Sequence, residues 1–328
     1  MIEYSEKSLN GYTFIDLFCG IGGFHLALSS LGAKCVFASD INSKACQVYE
    51  RNFKLKPKGD ITKIKCKDIP THDILCAGFP CQPFSISGNK KGFQDKNGKL
   101  FFEIVRIARF HKPKVIFLEN VSNLEAHDGG ETLKTIKQKL KSIGYRTFTK
   151  VLNASDYSIP QARKRIYIIA FRNKLGIKNF QFPAAEEQIA CVADILEDSV
   201  DSKYTISRDD IVISDTENHE RSKKLIRIGS IGPGRQGERI YSIQGPATTL
   251  SSQGGGPGGK TGIYKVGEIT RILTPRECAR VMGFPDNFVL LGSDFDSYTQ
   301  LGNSVVVNVI QKITALAADS LHKEGKNE

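Results

Sequence analysis

No run of residues approaches the roughly 18 consecutive apolar positions of a membrane-spanning helix, and the opening MIEYSEKSLN is polar. Neither secretion nor membrane insertion is expected, and a cytoplasmic location follows. None of the eight cysteines (Cys19, Cys35, Cys46, Cys66, Cys76, Cys81, Cys191 and Cys278) forms a CxxC pair. That spacing disfavours a disulfide framework and a zinc ribbon, so no metal site is expected and most of the thiols are read as small buried groups. No internal repeat is evident. With 328 residues the chain is long enough for one large domain and a smaller one.

Acidic residues are scarce where basic ones gather. Residues 221–280 hold eleven Lys or Arg against Glu238, Glu268 and Glu277, a local balance of +8 within a total of +11. Residues 186–220 just before them carry eleven acidic and two basic side chains. Concentrated positive charge is what phosphate binding needs, although a solvated lysine-rich surface has the same composition. The same 221–280 stretch contains twelve of the thirty glycines, which predicts short strands and loops rather than helices.

From the start to about residue 180, strand-length apolar runs alternate with helical patterns. YTFIDLF, CVFASD, DILCAG and PKVIFLENV alternate with FHLALSSL, KACQVYERNF, LFFEIVRIARF and ETLKTIKQKLKSI, followed by the strands RTFTKVLN and RIYIIAFR. This rhythm predicts a parallel sheet with crossover helices. Beyond residue 270, TPRECARVMGF and SVVVNVIQKITALAADSLHK read as helices, the latter amphipathic enough to pack back on the first domain.

The first strand runs into Asp16-Leu17-Phe18-Cys19-Gly20-Ile21-Gly22-Gly23 and a helix. Glycines there let backbone N–H groups approach a ligand at the carboxyl edge of a sheet. A nicotinamide fingerprint needs a third glycine where His25 stands. Asp40 ends the second strand, where a carboxylate can bind both ribose hydroxyls, although a tight turn beside a surface aspartate reads the same way. The FxGxGG form resembles the S-adenosylmethionine loop of class I methyltransferases, and that resemblance places Asp60 on the adenine amino group with Ile41 and Ile61 against the ring faces.

A strand counted as the fourth ends in Gly78-Phe79-Pro80-Cys81-Gln82-Pro83-Phe84-Ser85. Its cysteine stands between prolines at the sheet edge where function gathers, although burial is the commoner fate of a thiol. A catalytic thiol needs positive charge or a base nearby. The QARKR segment supplies cations, and strand alternation would put Arg163 and Arg165 on one face. Glu119-Asn120-Val121 follows VIFL on a strand counted as the fifth, and a carboxyl group leaving an apolar strand is a candidate acid. The bland readings are a solvated basic edge and a helix cap.

Pro80-Cys81-Gln82, Glu119-Asn120-Val121, QARKR, RILTPRECAR (271–280) and Gly302-Asn303-Ser304-Val305 resemble, in order and spacing, the motifs of the cytosine-C5 DNA methyltransferases. The resemblance covers essentially the whole chain and is closest to compact bacterial type II restriction-modification enzymes, including members reading GCGC. It implies an α/β fold of the S-adenosylmethionine-dependent class I methyltransferase kind, a Rossmann-like mixed sheet with helices on both faces, plus a smaller, mostly β and loop target recognition domain. Residues 1–190, completed by a C-terminal helix over 300–328, would form the catalytic domain, with 191–275 the recognition domain and 276–299 a hinge.

Further implied are S-adenosyl-L-methionine as methyl donor, double-stranded DNA as partner, a monomer, and a cognate restriction endonuclease acting separately. Cys81 would add to C6 of a flipped-out cytosine, with Glu119 at N3 and Arg165 and Arg163 holding the base oxygen and the carboxyl group. Phe18, Gly20, Gly22, Gly23, Asp40, Ile41, Asp60, Ile61, Pro80, Asn303 and Ser304 would hold the cofactor. Ser85, Ser87, Gln236, Arg239 and Thr249 would meet DNA: Ser87 and Gln236 at the gap left by the base, Arg239 on a guanine and Thr249 on a phosphate. Two departures stand out. Asp40 replaces the family's usual glutamate, and Gln253 and Pro257 lie among the recognition residues, so the DNA site stays open. A tRNA methyltransferase on the same scaffold is the nearest alternative, and a non-catalytic DNA-binding protein or a Rossmann oxidoreductase stands further off.

Overall fold

The computed structural model describes residues 8–79, 100–215 and 219–324. The chain divides into two compact units, residues 1–152, 164–184 and 309–328 in the first and 153–163 and 185–308 in the second. The expected boundaries differ from these in three places. Residues 185–190 fall in the second unit, and so do 153–163 and 276–308, where Gln161 and Arg163 bond to the main chain at 250, 281, 302 and 304.

The first unit is built on a six-stranded sheet of β1 (Thr13–Leu17), β2 (Lys34–Ser39), β3 (Ile74–Gly78), β4 (Val115–Val121), β5 (Tyr145–Asn153) and β6 (Lys164–Arg172). Their order is β2-β1-β3-β4-β6-β5. β1 pairs in parallel with β2 and β3, and β3 with β4, whereas β6 runs antiparallel to β4. The strands expected as fourth and fifth are thus third and fourth in the chain. Helices α1 (Gly23–Ser30), α2 (Ser43–Phe53), α3 (Leu100–His111) and α4 (Glu131–Ser142) lie between strands.

Period-two alternation gives each strand two apolar faces. Ile15, Leu17, Leu75, Ala77, Ile116 and Leu118 share a core with Phe101 and Ile104 of α3 and Ile136 and Leu140 of α4. On the other face, Phe24 and His25 of α1 meet Phe117 and Phe14 edge-on. Strand order reverses between β1 and β3, and such a switch leaves a crevice outside the carboxyl ends of the strands. There β1 ends at Leu17 and β3 at Gly78.

The second unit carries β7 (Ile211–Ile213), β8 (Arg227–Ile231), β9 (Arg239–Ser242), β10 (Ile263–Val266) and β11 (Ile269–Ile272) in the order β11-β10-β9-β8-β7. Only β9 and β10 pair in parallel. Ile228, Ile231, Ile240 and Ile263 form its small core. The glycine run is a packing device: the Gly237 carbonyl accepts from Gly258 N at 2.8 Å, and a Cβ on Gly237 would stand 2.2 Å from the Gly255 oxygen. Backbone meets backbone here, which side chains would prevent.

Helices α5 (Pro275–Val281) and α6 (Asp294–Asn303) follow, then α7 (Val307–Glu324). Together 294–323 is the one stretch among the described residues long and apolar enough to cross a membrane, with a mean hydropathy of 1.2. It breaks at Ser304 and is 72% buried over its most apolar window, so its apolar residues serve a protein core.

Thr274 caps α5, and the Glu277 side chain accepts from Thr274 N, from Glu197 N and, on both oxygens, from Arg271 at 2.7 and 2.8 Å. Arg271 and Glu277 are fully buried, so Glu277→Gln leaves a cation in the interior without its counter-charge. The expected loss is about 3–5 kcal/mol. Urea unfolding of the variant checks it, and a loss under about 1 kcal/mol would mean that the pair is replaceable.

Candidate active site and nucleic-acid interface

At the carboxyl end of β1 the chain turns through Phe18, Gly20 and Gly22, all at positive φ (56°, 52° and 92°). Gly20 N donates to Asp40 Oδ2 and Asn42 N to Asp40 Oδ1, both at 2.8 Å. Gly22 caps α1, and a Cβ there would meet the Phe53 ring at 2.2 Å; Gly23 is the buried first residue of the helix. The expected ribose carboxylate therefore also braces the loop, each oxygen retaining a lone pair outward.

Ile41 is 79% exposed beside Asp40, an apolar face open to a ring. Ile61 instead is buried in the sheet core, because it leads the 3-10 turn that Asp60 caps. Asp60 Oδ1 accepts from Thr62 N and Oγ1 at 3.0 and 2.7 Å, which holds its carboxyl below the ordinary range.

Asp16 escaped the sequence reading. It is wholly buried in β1 with neither oxygen hydrogen-bonded; the His25 backbone N–H lies near without closing a bond. Burial, and then the Asp40 carboxylate, push its carboxyl well above the ordinary range. A buried carboxylate of this kind calls for a proton or a cationic ligand. A charged residue at an otherwise apolar strand position was the available signal.

Glu119 ends the apolar part of β4 and is Cα partner to Gly78, the last residue of β3. Arg165 Nε stands 3.2 Å from Glu119 Oε1, with side chains 15% and 11% exposed. Arg165 faces Val121 in the β4–β6 register, one residue from Asn120. Buried Asn120, also absent from the expected site, donates from Nδ2 to the Phe79 carbonyl at 3.2 Å and accepts from Val121 N at 2.9 Å. The exit of β3 is thereby tied to the strand that carries Glu119. Pro80, Cys81, Ser85 and Ser87 lie outside the described residues.

Burial makes several of the described thiols poor nucleophiles. Burial pushes Cys19, Cys76 and Cys278 well above the ordinary thiol range, Cys35 to about 12 and Cys46 to about 11. Four of the seven described thiols are buried, a majority as expected, while Cys35, Cys46 and Cys66 are half-buried.

In the second unit, Arg163 is not placed as expected. β6 begins at Lys164, and a turn in which Arg163 N donates to Gln161 O at 3.0 Å breaks the alternation that would pair it with Arg165. Its buried guanidinium donates to the carbonyls of Leu250, Gly302 and Ser304 at 3.1, 2.9 and 2.8 Å. Exposed Thr249 donates its hydroxyl proton to Ala162 O at 2.5 Å, and a phosphate, which only accepts, would have to compete with that carbonyl for the proton. Gln236, on a 3-10 turn, and Arg239, at the start of β9, are exposed. Asn303 is exposed at the end of α6, and Ser304 beside it is buried.

Beneath the loop, His25 Nδ1 meets Tyr49 Oη at 2.7 Å and its ring stacks on Phe53 at 3.9 Å. Burial lowers His25 and His72 to about 4. Their folded values lie below the unfolded 6.5, so their contribution is complete above pH 6.5 and is lost as pH falls towards 4. Each contributes a slope of up to about 1.4 kcal/mol per pH unit in that window. Asp16, raised, acts in the opposite sense above its ordinary range and offsets part of it. Urea unfolding between pH 7 and 4.5 should show the fall, and a His25→Leu variant a shallower one; equal slopes would contradict the assignment.

Residues 12–317 match the family described as C-5 cytosine-specific DNA methylase. The chain is 53% identical over 323 residues to the Type II methyltransferase M.HhaI of Haemophilus parahaemolyticus, covering 98% of this chain and 99% of that protein. Against the Type II methyltransferase M.HpaII of Haemophilus parainfluenzae it is 41% identical over 324 residues, covering 92% and 87%. The Dnmt2 methyltransferase structure of S. pombe aligns with a TM-score of 0.70 at 23% identity over 94% of this chain and 98% of that one, a likeness of fold.

Proposed function

Because the chain belongs to the C-5 cytosine-specific DNA methylase family and is an S-adenosylmethionine-dependent DNA cytosine methyltransferase, we propose that its chemistry runs through Cys81, Glu119 and Arg165. The observation that carries this reading is the Glu119–Arg165 pair at the carboxyl edge, on the strand that Asn120 ties to the exit towards Cys81.

C5 of cytosine is a weak nucleophile until the aromatic ring is broken. The Cys81 thiolate adds to C6, forming a C–S bond and pushing the C5–C6 electron pair into the ring. Glu119 hydrogen-bonds or protonates N3 as charge develops, and Arg165 holds both the carboxyl group and the base oxygen. When bound, S-adenosylmethionine supplies an electrophilic methyl on a sulfonium centre. C5 takes that methyl, leaving the donor sulfur as a neutral thioether; loss of the C5 proton to solvent then restores the double bond and expels the thiolate, and any proton taken up at N3 returns to Glu119. C6 is out of reach in a stacked duplex, so the base must be flipped out at a cost of a few kcal/mol.

The residues of the β1 edge suit such a donor. Asp16 offers an unsatisfied carboxylate to a cation, Asp40 its outward lone pairs to ribose hydroxyls, Ile41 a face to the adenine ring and Asp60 an acceptor to its amino group. Phe18, Gly20, Gly22 and Gly23 shape the loop, while Ile61 supports from the core. Asn303 and Ser304 are assigned to the same ligand by motif. Gln236, Arg239 and Thr249 are the proposed duplex contacts, supported by their exposure within the basic segment.

The type II designation of the relatives supports a role beside a separately acting restriction endonuclease. Bisulfite sequencing of DNA from cells expressing the protein tests the reading. Protected cytosines should fall in one short recurrent sequence; methylation scattered without sequence context would overturn it.

A further inference from the structure

Arg163 occupies an unusual place for a cation, 3% exposed and donating to main-chain carbonyls from two separate stretches of the second unit. Nη1 reaches Leu250 O, next to the proposed phosphate contact Thr249. Nη2 reaches Gly302 O and Ser304 O, the stretch assigned to the cofactor. The two stretches also meet directly: a Cβ on Gly302 would stand 2.7 Å from Ser252 N and 2.8 Å from the Ser251 carbonyl carbon. The turn that carries Arg163 bonds to the 249–250 stretch twice more, Gln161 Oε1 accepting from Leu250 N at 3.2 Å and Ala162 O accepting from Thr249.

We propose that Arg163 is a positioning residue that couples residues 249–252 to 302–304, so that DNA bound at the first and cofactor bound at the second strengthen each other. The inference rests on the proposed roles of Thr249, Asn303 and Ser304. Its physical basis is the planar guanidinium, which holds two carbonyl-bearing stretches at a set separation through fixed N–H directions, whereas an ammonium has no such fork. A displacement of residues 249–250 on binding phosphate is thus carried to 302–304. Coupling of this kind is reciprocal in the two affinities.

The test measures the Kd of S-adenosylhomocysteine, alone and with a saturating duplex carrying the site found by bisulfite sequencing, for wild type and Arg163→Lys. In wild type the duplex tightens the ligand on the order of tenfold, and in Arg163→Lys by about twofold or less. The ligand's affinity without DNA should change less than the ratio does. A residue that only held the fold would lower the melting temperature and leave the ratio intact, and an unchanged ratio overturns the proposal. Gly302→Ala presses on the same junction from the acceptor side while leaving Arg163 itself unchanged, and must lose the ratio as well; should Arg163→Lys not fold, its retention of coupling decides against Arg163. Wild type that methylates DNA but shows no coupling defeats this inference alone, whereas wild type that neither binds S-adenosylhomocysteine nor methylates DNA defeats the proposed function beneath it.

Discussion

Serine in place of Cys81 lowers methyl transfer on the order of 10⁴-fold or more, the size of effect that follows loss of a covalent nucleophile. A hydroxyl is far less nucleophilic towards C6 than a thiolate. Cys19, Cys76 and Cys278 offer no substitute, since burial raises their thiols well above the ordinary range. Transfer of labelled methyl to a defined duplex measures the loss. DNA containing 5-fluorocytosine gives a second readout: fluorine at C5 does not leave as the proton does, so the C–S adduct persists. Wild type should form a species that survives denaturation and Cys81→Ser should not. Full transfer by the serine variant, or no trapped wild type, would rule out the covalent route.

Glu119→Gln has the next largest effect, a fall in kcat of about 10²- to 10⁴-fold, the usual range for loss of a positioned acid. Glutamine keeps the shape and one N–H but has no proton to give N3, and it removes the charge that Arg165 faces at 3.2 Å. If Glu119 acts as charge develops, the loss falls on kcat with KM little changed. Asn120 still ties β4 to Phe79 in this variant, so strand geometry is retained. Single-turnover rates with melting curves distinguish the two contributions. A folded Glu119→Gln that turns over within about threefold of wild type would remove Glu119 from the chemistry.

Much of the first unit was legible because its signals are local. FIDLF and VIFLEN alternate with period two, α3 and α4 repeat with helical period, and glycines mark the turn after β1. Side-chain partners were not legible in that way. Asp40 and Asp60 read as ligand contacts, yet each carboxylate also holds local backbone N–H groups. Asp16 shows as a site residue only once its burial is known. Arg163 read as the twin of Arg165, because two-residue spacing implies a shared face only inside a strand, and β6 starts one residue too late. The second unit was read from composition, and its glycine run turns out to be a backbone junction that composition does not describe.

The motifs by themselves determined the family, the methyl donor and the class of reaction, because covalent chemistry at C6 demands particular residue types in a particular order, and order is written along the chain. Tertiary structure decided which groups meet: Glu119 with Arg165, Asn120 with Phe79, and Arg163 with the carbonyls of 250, 302 and 304. Those pairings span 41 to 141 residues of sequence. Burial and hydrogen-bond geometry at such separations arise only when the strands are packed, so no local pattern could carry them.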